Sequence, residues 1–176
     1  TGVCDSRESL HSARLSKDIV LAGGVKEVVR AMTRHKHSVD CSSQGCRALR
    51  SLAIGGKYDS DIVDNGGISA VISAMRHHET NANLQARGVW TLRNLAAASP
   101  YIQSRIAMEG GIEQIIVAMM THRGRVRVQV QGCSALASLA RDSVENERAI
   151  ANAGGVDAVV AAMRMHVDSE GVQTSG

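Results

Sequence analysis

A pair of glycines recurs four times along the 176-residue chain, at Gly23-Gly24, Gly66-Gly67, Gly110-Gly111 and Gly154-Gly155, in steps of 43, 44 and 44 residues. Other residue types return in phase with it. Self-similarity at a fixed period of this size marks a solenoid, whose units cannot bury their apolar faces alone and do so only against their neighbours. Function in such a chain belongs on the surface of the array.

The phase defines the helices of one unit. After each glycine pair come apolar residues at one spacing: Val25, Val28, Val29, Met32; Ile68, Val71, Ile72, Met75; Ile112, Ile115, Ile116, Met119; Val156, Val159, Val160, Met163. Residues at i, i+3, i+4 and i+7 form one stripe of a helix, here the middle helix of the unit. A longer helix follows, its stripe read from Cys46, Leu49, Leu52 and Ala53, from Val89, Leu92, Leu95 and Ala96, and from Cys133, Leu136, Leu139 and Ala140. Beside that stripe stand Gly45, Gly88 and Gly132, where a missing side chain lets another helix come close at some cost in propensity. A short third segment, marked by Ile19, Ile62, Ile106 and Ile150, ends at each glycine pair. Because glycine adopts positive φ without strain, the pair caps this segment and turns the chain. The predicted spans are 25–36, 40–54, 67–78, 82–98, 111–122, 126–141 and 155–166, with short helices before each pair.

Composition narrows the class further. Aromatic residues make up 2% of the chain and phenylalanine is absent, so the core is built from Val, Ile, Leu, Met and Ala. The only proline, Pro100, falls where a short helix begins, a position that tolerates it. No apolar run approaches the ~20 residues of a membrane span, and no signal peptide is visible. A formal net charge of +3 is too small to argue for nucleic acid by itself.

Three helices in each unit, the first of them short, resemble the armadillo repeat. The matching residues are the small cap Ala153-Gly154-Gly155, the aliphatic middle helix, and the stretch Gly88 to Ala96, which reads Gly-x-Trp-x-Leu-x-Asn-Leu-Ala. HEAT repeats usually have two helices and place Pro and Asp differently. The texture is similar to armadillo arrays of unicellular eukaryotes. The resemblance implies an all-α fold, a right-handed armadillo-type α-solenoid of three-helix repeats. Units are expected at 13–55, 56–98 and 99–142, with a degenerate or partial unit at 1–12 and a truncated fourth at 143–176. Gly176 lies 22 residues after Gly154, the offset that separates Gly23 from Gly45, so the chain is expected to stop where a fourth long helix starts.

Candidate chemistry is weighed against that repeat. His35, His78, His122 and His166 each follow the methionine of a middle helix by three residues. Equivalent helices of stacked units lie ~8–10 Å apart, whereas imidazoles sharing one zinc must each approach it to ~2 Å. These histidines are therefore expected to finish the apolar stripe and hydrogen-bond the following loop, with no metal bound. Cys46 and Cys133 share a core slot with Val89 and are expected to behave as small hydrophobes. No C-x-x-C, G-x-G-x-x-G or G-x-x-x-x-G-K motif occurs, and no carboxylate pair or nucleophile–base pair repeats. No cofactor and no enzymatic activity are expected. A reducing compartment, cytoplasmic or nuclear, suits the cysteines.

The anomaly is Trp90. At about 100° per residue, with Leu92 taken as the buried direction, Val89, Leu95 and Ala96 fall within about 60° of it, while Arg87, Trp90 and Asn94 lie roughly 140–160° away. This face of the long helix lines the concave groove in armadillo proteins. A Trp with an Asn four residues later resembles the ladder by which importin-α repeats hold extended peptides, the Asn on the peptide backbone and the Trp beside its side chains. Flanking units replace the pair by Arg47 and Ser51 and by Ser134 and Ser138. Gln44, Arg87 and Gln131 share a further slot, and Arg50, Arg93 and Ala137 another.

The candidate peptide-binding residues are thus Arg47, Arg50, Ser51, Arg87, Trp90, Arg93, Asn94, Gln131, Ser134 and Ser138. Arginines in this set could pair bidentately with carboxylates or phosphates. The expected function is a protein-interaction scaffold that holds an extended, partly acidic segment of a protein partner, peptide or helix. The alternative is an architectural segment that spaces other domains or self-associates through truncated ends. Nucleic acid is disfavoured by the modest charge and the single groove aromatic, and no small-molecule substrate is expected.

Overall fold

The computed structural model describes Asp18, Val20 and residues 22–176. The first unit's Ile19 and the expected segment 1–12 lie outside the described residues. Among those described there are helices and no strands. In chain order they are α1 (Gly24–Arg34), α2 (Val39–Ala53), α3 (Asp59–Asp64), α4 (Gly67–His77), α5 (Ala82–Ala96), α6 (Pro100–Met108), α7 (Gly111–Thr121), α8 (Val126–Ala140), α9 (Val144–Asn152), α10 (Gly155–Met165) and α11 (Glu170–Gln173). Short, middle and long helices recur in the triplets α3–α4–α5 and α6–α7–α8. The seven middle and long helices begin and end within two residues of the sequence expectation.

The two glycines of each pair do different work. Gly23, Gly66, Gly110 and Gly154 adopt φ of 75°, 77°, 82° and 80°, a left-handed conformation that side chains disfavour. The second glycine has ordinary helical geometry and is needed for space. A Cβ on Gly67 would overlap the Ile62 side chain and stand 2.8 Å from the Ile62 carbonyl, and Ile106 and Ile150 crowd Gly111 and Gly155 in the same way. The in-phase isoleucines are therefore the partners that exclude a side chain from the second glycine.

The middle and long helices of a unit form a tight antiparallel pair. A Cβ on Gly88 would meet Met75 Cγ at 2.5 Å, and Gly45 and Gly132 are filled in the same way by Met32 and Met119. The expected close approach is thus made by the methionine of the unit's own middle helix. A buried amide fastens the same pair. Gln85 Nε2 donates to the carbonyls of Met75 (2.8 Å) and His78 (3.0 Å), and Gln129 does so to Met119 (3.0 Å) and His122 (2.9 Å). These carbonyls end the middle helix and have no intrahelical donor. The amide gives the Met75 and Met119 carbonyls their donor and adds a second one to those of His78 and His122, which also accept from the backbone N–H of Asn81 and Arg125.

Units are tied to one another by the in-phase histidines, and here the structure corrects the sequence expectation. In three of the four, Nε2 donates to a backbone carbonyl of the preceding unit's loop, not to the loop that follows: His78 to Lys36 (2.9 Å), His122 to Glu79 (2.7 Å) and His166 to Arg123 (2.6 Å). A carbonyl only accepts, so Nε2 carries the proton in each. Among the described residues no group of three or more potential ligands converges on a metal position. The core between units is apolar. Cys46, Val89 and Cys133 are buried in one repeating slot, and Leu49, Leu92 and Leu136 in the next. No described helix is long and apolar enough to cross a membrane.

Candidate functional site

The long helices α2, α5 and α8 lie side by side and turn their polar faces the same way. Their register is staggered. Trp90 on α5 is half-buried between two cations from its neighbours. The Arg50 guanidinium of α2 stands 4.0 Å from the ring centroid, and that of Arg127 on α8 stands 5.5 Å from it. Both distances are within cation–π range. Trp90 thus belongs to a three-unit stack, Arg50–Trp90–Arg127, and remains partly exposed. Arg127 was missed by the sequence reading. It lies two helical turns before Ser134 on the same face, which was the available signal, but nothing in the repeat reveals that stagger brings it to Trp90.

Other expected residues form links across the units. Arg87 donates to Ser43 Oγ, and Arg93 Nη1 donates to Gln131 Oε1 at 3.2 Å. Ser134 bonds Ser175 Oγ at 3.0 Å. Ser51 and Ser138 are turned back on their own helices, donating to the carbonyls of Arg47 (3.0 Å) and Ser134 (2.9 Å). Their hydroxyl protons are therefore spent locally, although the oxygens can still accept. Arg47 is exposed. Among the described residues the ion pairs are Arg30–Glu27 and Arg105–Glu109, so Arg47, Arg50, Arg87, Arg93 and Arg127 share one face with no acidic partner.

Beside this stack is an open pocket of about 620 Å³, lined by the turn Ala53–Gly56, Asp59, Trp90, Asn94, Ala97 and Ala98. Gly55 and Gly56, in the connection between α2 and α3, both have positive φ (85° and 74°), a conformation that side chains disfavour. Asp59 opens α3 and is 3% exposed, and neither carboxylate oxygen has a hydrogen-bond partner. Burial pushes its carboxyl up to about 6, because the charged form loses water without gaining a donor. The in-phase residue of the next unit shows the contrast. Gln103 donates to the carbonyls of Ala96 (3.2 Å) and Ser138 (3.0 Å), a task that an ionised carboxylate cannot perform. No sequence signal separated Asp59 from the ordinary acidic residues of a helix first turn.

The cysteines take no part in this face. Cys46 and Cys133 are buried, and burial raises both thiols, Cys46 to about 12. They stay protonated, which removes their nucleophilic form.

No family model matches the chain, and no curated protein matches it. Among solved structures, an engineered protein determined by crystallography as a Northeast Structural Genomics Consortium target superposes with a TM-score of 0.72 and 26% identity, over 92% of this chain and 67% of its own. That likeness supports the all-α fold and carries no activity or partner.

Proposed function

We propose that the chain is an armadillo-type array that binds proteins, holding an extended, partly acidic segment of its partner along the face formed by α2, α5 and α8. The observation that carries this reading is the Arg50–Trp90–Arg127 stack, an aromatic flanked by cations with no acidic partner among the described residues. A ligand carboxylate or phosphate can bond the outer edge of a stacked guanidinium without breaking its contact with the ring. Asn94, half-buried beside Trp90 and lining the pocket, offers both a donor and an acceptor to a peptide backbone. When ionised, Asp59 is an acceptor without a donor, so donor groups belong at the pocket and acidic side chains toward Arg47, Arg87 and Arg93. The free thiols of Cys41, Cys46 and Cys133 fit a reducing compartment, cytoplasmic or nuclear.

A peptide-library selection on the wild-type protein and on an Arg87→Glu, Arg93→Glu double variant tests the reading. The wild type is expected to enrich peptides in which Asp, Glu or phosphorylated residues flank an apolar or aromatic one, and the double variant is expected to lose them. Basic selected peptides, or equal enrichment by both proteins, would favour the architectural alternative.

A further inference from the structure

Two of the arginines on the groove face are engaged with protein acceptors. Arg87 reaches Ser43, and Arg93 reaches Gln131. Arg50 and Arg127 are held differently, against the Trp90 ring, and among the described residues neither forms an ion pair. Arg50 is half-buried and Arg127 is exposed. A guanidinium stacked on a ring keeps the donors of its edge free, in a planar fork that fits a carboxylate.

The stack also sets how far apart these two cations stand. Helices α2 and α8 pack on opposite sides of α5, so Arg50 and Arg127 come to the ring from opposite sides, 4.0 and 5.5 Å from its centre. Their separation is the two distances taken together. Two residues of an extended strand, at about 3.3 Å each, fall short of that span, and four overshoot it. Three residues of a strand match it but send the first and last side chains to opposite faces. Three residues of polyproline II, at about 3.1 Å each, match it and complete one turn, which returns positions i and i+3 to the same side.

We propose that the groove reads a pair of carboxylates three residues apart, acid-x-x-acid, in a segment held as polyproline II, with one carboxylate on Arg50, the other on Arg127 and the indole edge between them. This rests on the peptide-groove reading and adds to it the spacing and the backbone form of the partner. Polyproline II suits a face built from helices, because its backbone has no internal hydrogen bonds and needs no strand edge to pair with. Asn94, beside Trp90 in the pocket lining, can donate to one of its free carbonyls. Both guanidinium planes are already set by the ring, so less side-chain freedom is lost when the carboxylates arrive.

Proline makes a rigid ruler for the test. The probes are three peptides in which two glutamates, set in a run of prolines, are separated by one, two or three prolines. Fluorescein-labelled forms are titrated into the full chain at low ionic strength, where exposed charges are least screened, and followed by anisotropy. The two-proline probe is expected to bind about three- to fivefold more tightly than the others, the scale of one exposed ion pair. Arg127→Gln, at an exposed position, should abolish that preference. Trp90 is the only tryptophan in the chain, so its emission should change on saturation with the unlabelled two-proline probe.

Equal binding of the three probes, or a preference that survives Arg127→Gln, would overturn the spacing and leave the groove reading standing. Saturable binding with unchanged Trp90 emission would place the carboxylates elsewhere and overturn the proposal. Binding by none of the probes overturns it as well, and the peptide-library selection then decides the groove reading separately. Enriched acidic peptides that lack the i, i+3 pair would keep that reading, and an absence of acidic enrichment would end it too.

Discussion

The guanidinium carbon of Arg50 lies 4.0 Å from the centre of the Trp90 ring, across the boundary between two units, although the residues are 40 positions apart. Arg50 Nε is itself buried without a partner, so the stacking contact stands in for a hydrogen bond. Trp90→Ala should cost about 1 kcal/mol, the scale of partly exposed cation–π contacts. Leu92→Ala, two residues on and facing the core, should cost ~2–5 kcal/mol through the cavity it leaves. Urea denaturation of the two variants compares them directly, and equal losses would show that Trp90 is a core residue.

Gly88→Ala tests the methionine contact. The new methyl would meet Met75 Cγ at 2.5 Å and Sδ at 2.6 Å, so the helices must part or Met75 must leave its rotamer, at ~1–3 kcal/mol. Combining Gly88→Ala with Met75→Ala should couple favourably, the double variant losing less than the sum of the single ones. Simple additivity would mean that the slot is empty in solution.

Asp59 should make stability depend on pH in the direction opposite to a paired carboxylate. Its folded value is about 6 against the ordinary 3.8, so between these values the folded state holds a proton that the unfolded state has released. No penalty exists below the lower value, and the penalty grows as pH rises through about 6. The melting temperature of the wild type is expected to fall between pH 4 and pH 7. Asp59→Asn, which keeps the shape and adds a donor, should flatten that slope and raise the melting temperature at neutral pH.

His122→Phe should keep the ring and remove the 2.7 Å bond to the Glu79 carbonyl. The expected loss is about 1 kcal/mol. Amide exchange should quicken where the units meet, around Glu79 and Thr80, more than within α7. A loss confined to the loop after His122 would instead support the local bond that the sequence suggested.

The helices and their order were legible because each rests on short-range physics: a stripe at helical spacing, a glycine that accepts positive φ, a capping Ser38, Asn81 or Ser99 that accepts from the third residue on. The repeat added the long-range element by declaring Gly45, Gly88 and Gly132 equivalent. Equivalence, however, is not adjacency. The period says that Trp90, Arg47 and Ser134 occupy one slot, but the stagger between neighbouring long helices decides that Trp90 meets Arg50 and Arg127. The same stagger sends Arg93 to Gln131, and the stacking of units sends His78 back to Lys36.

What the tertiary structure alone decided is therefore every contact between units, together with the environment of Asp59. In sequence Asp59 is one of several acids at a helix start. Only folding deprives it of water and donors: Asp59 is 3% exposed with no partner for either carboxylate oxygen, and the amide that Gln103 supplies at the equivalent position of the next unit is absent. The local code specifies each helix from its own residues. The relative shift of two packed helices is set by how all their side chains interlock at once, and no single residue carries that information.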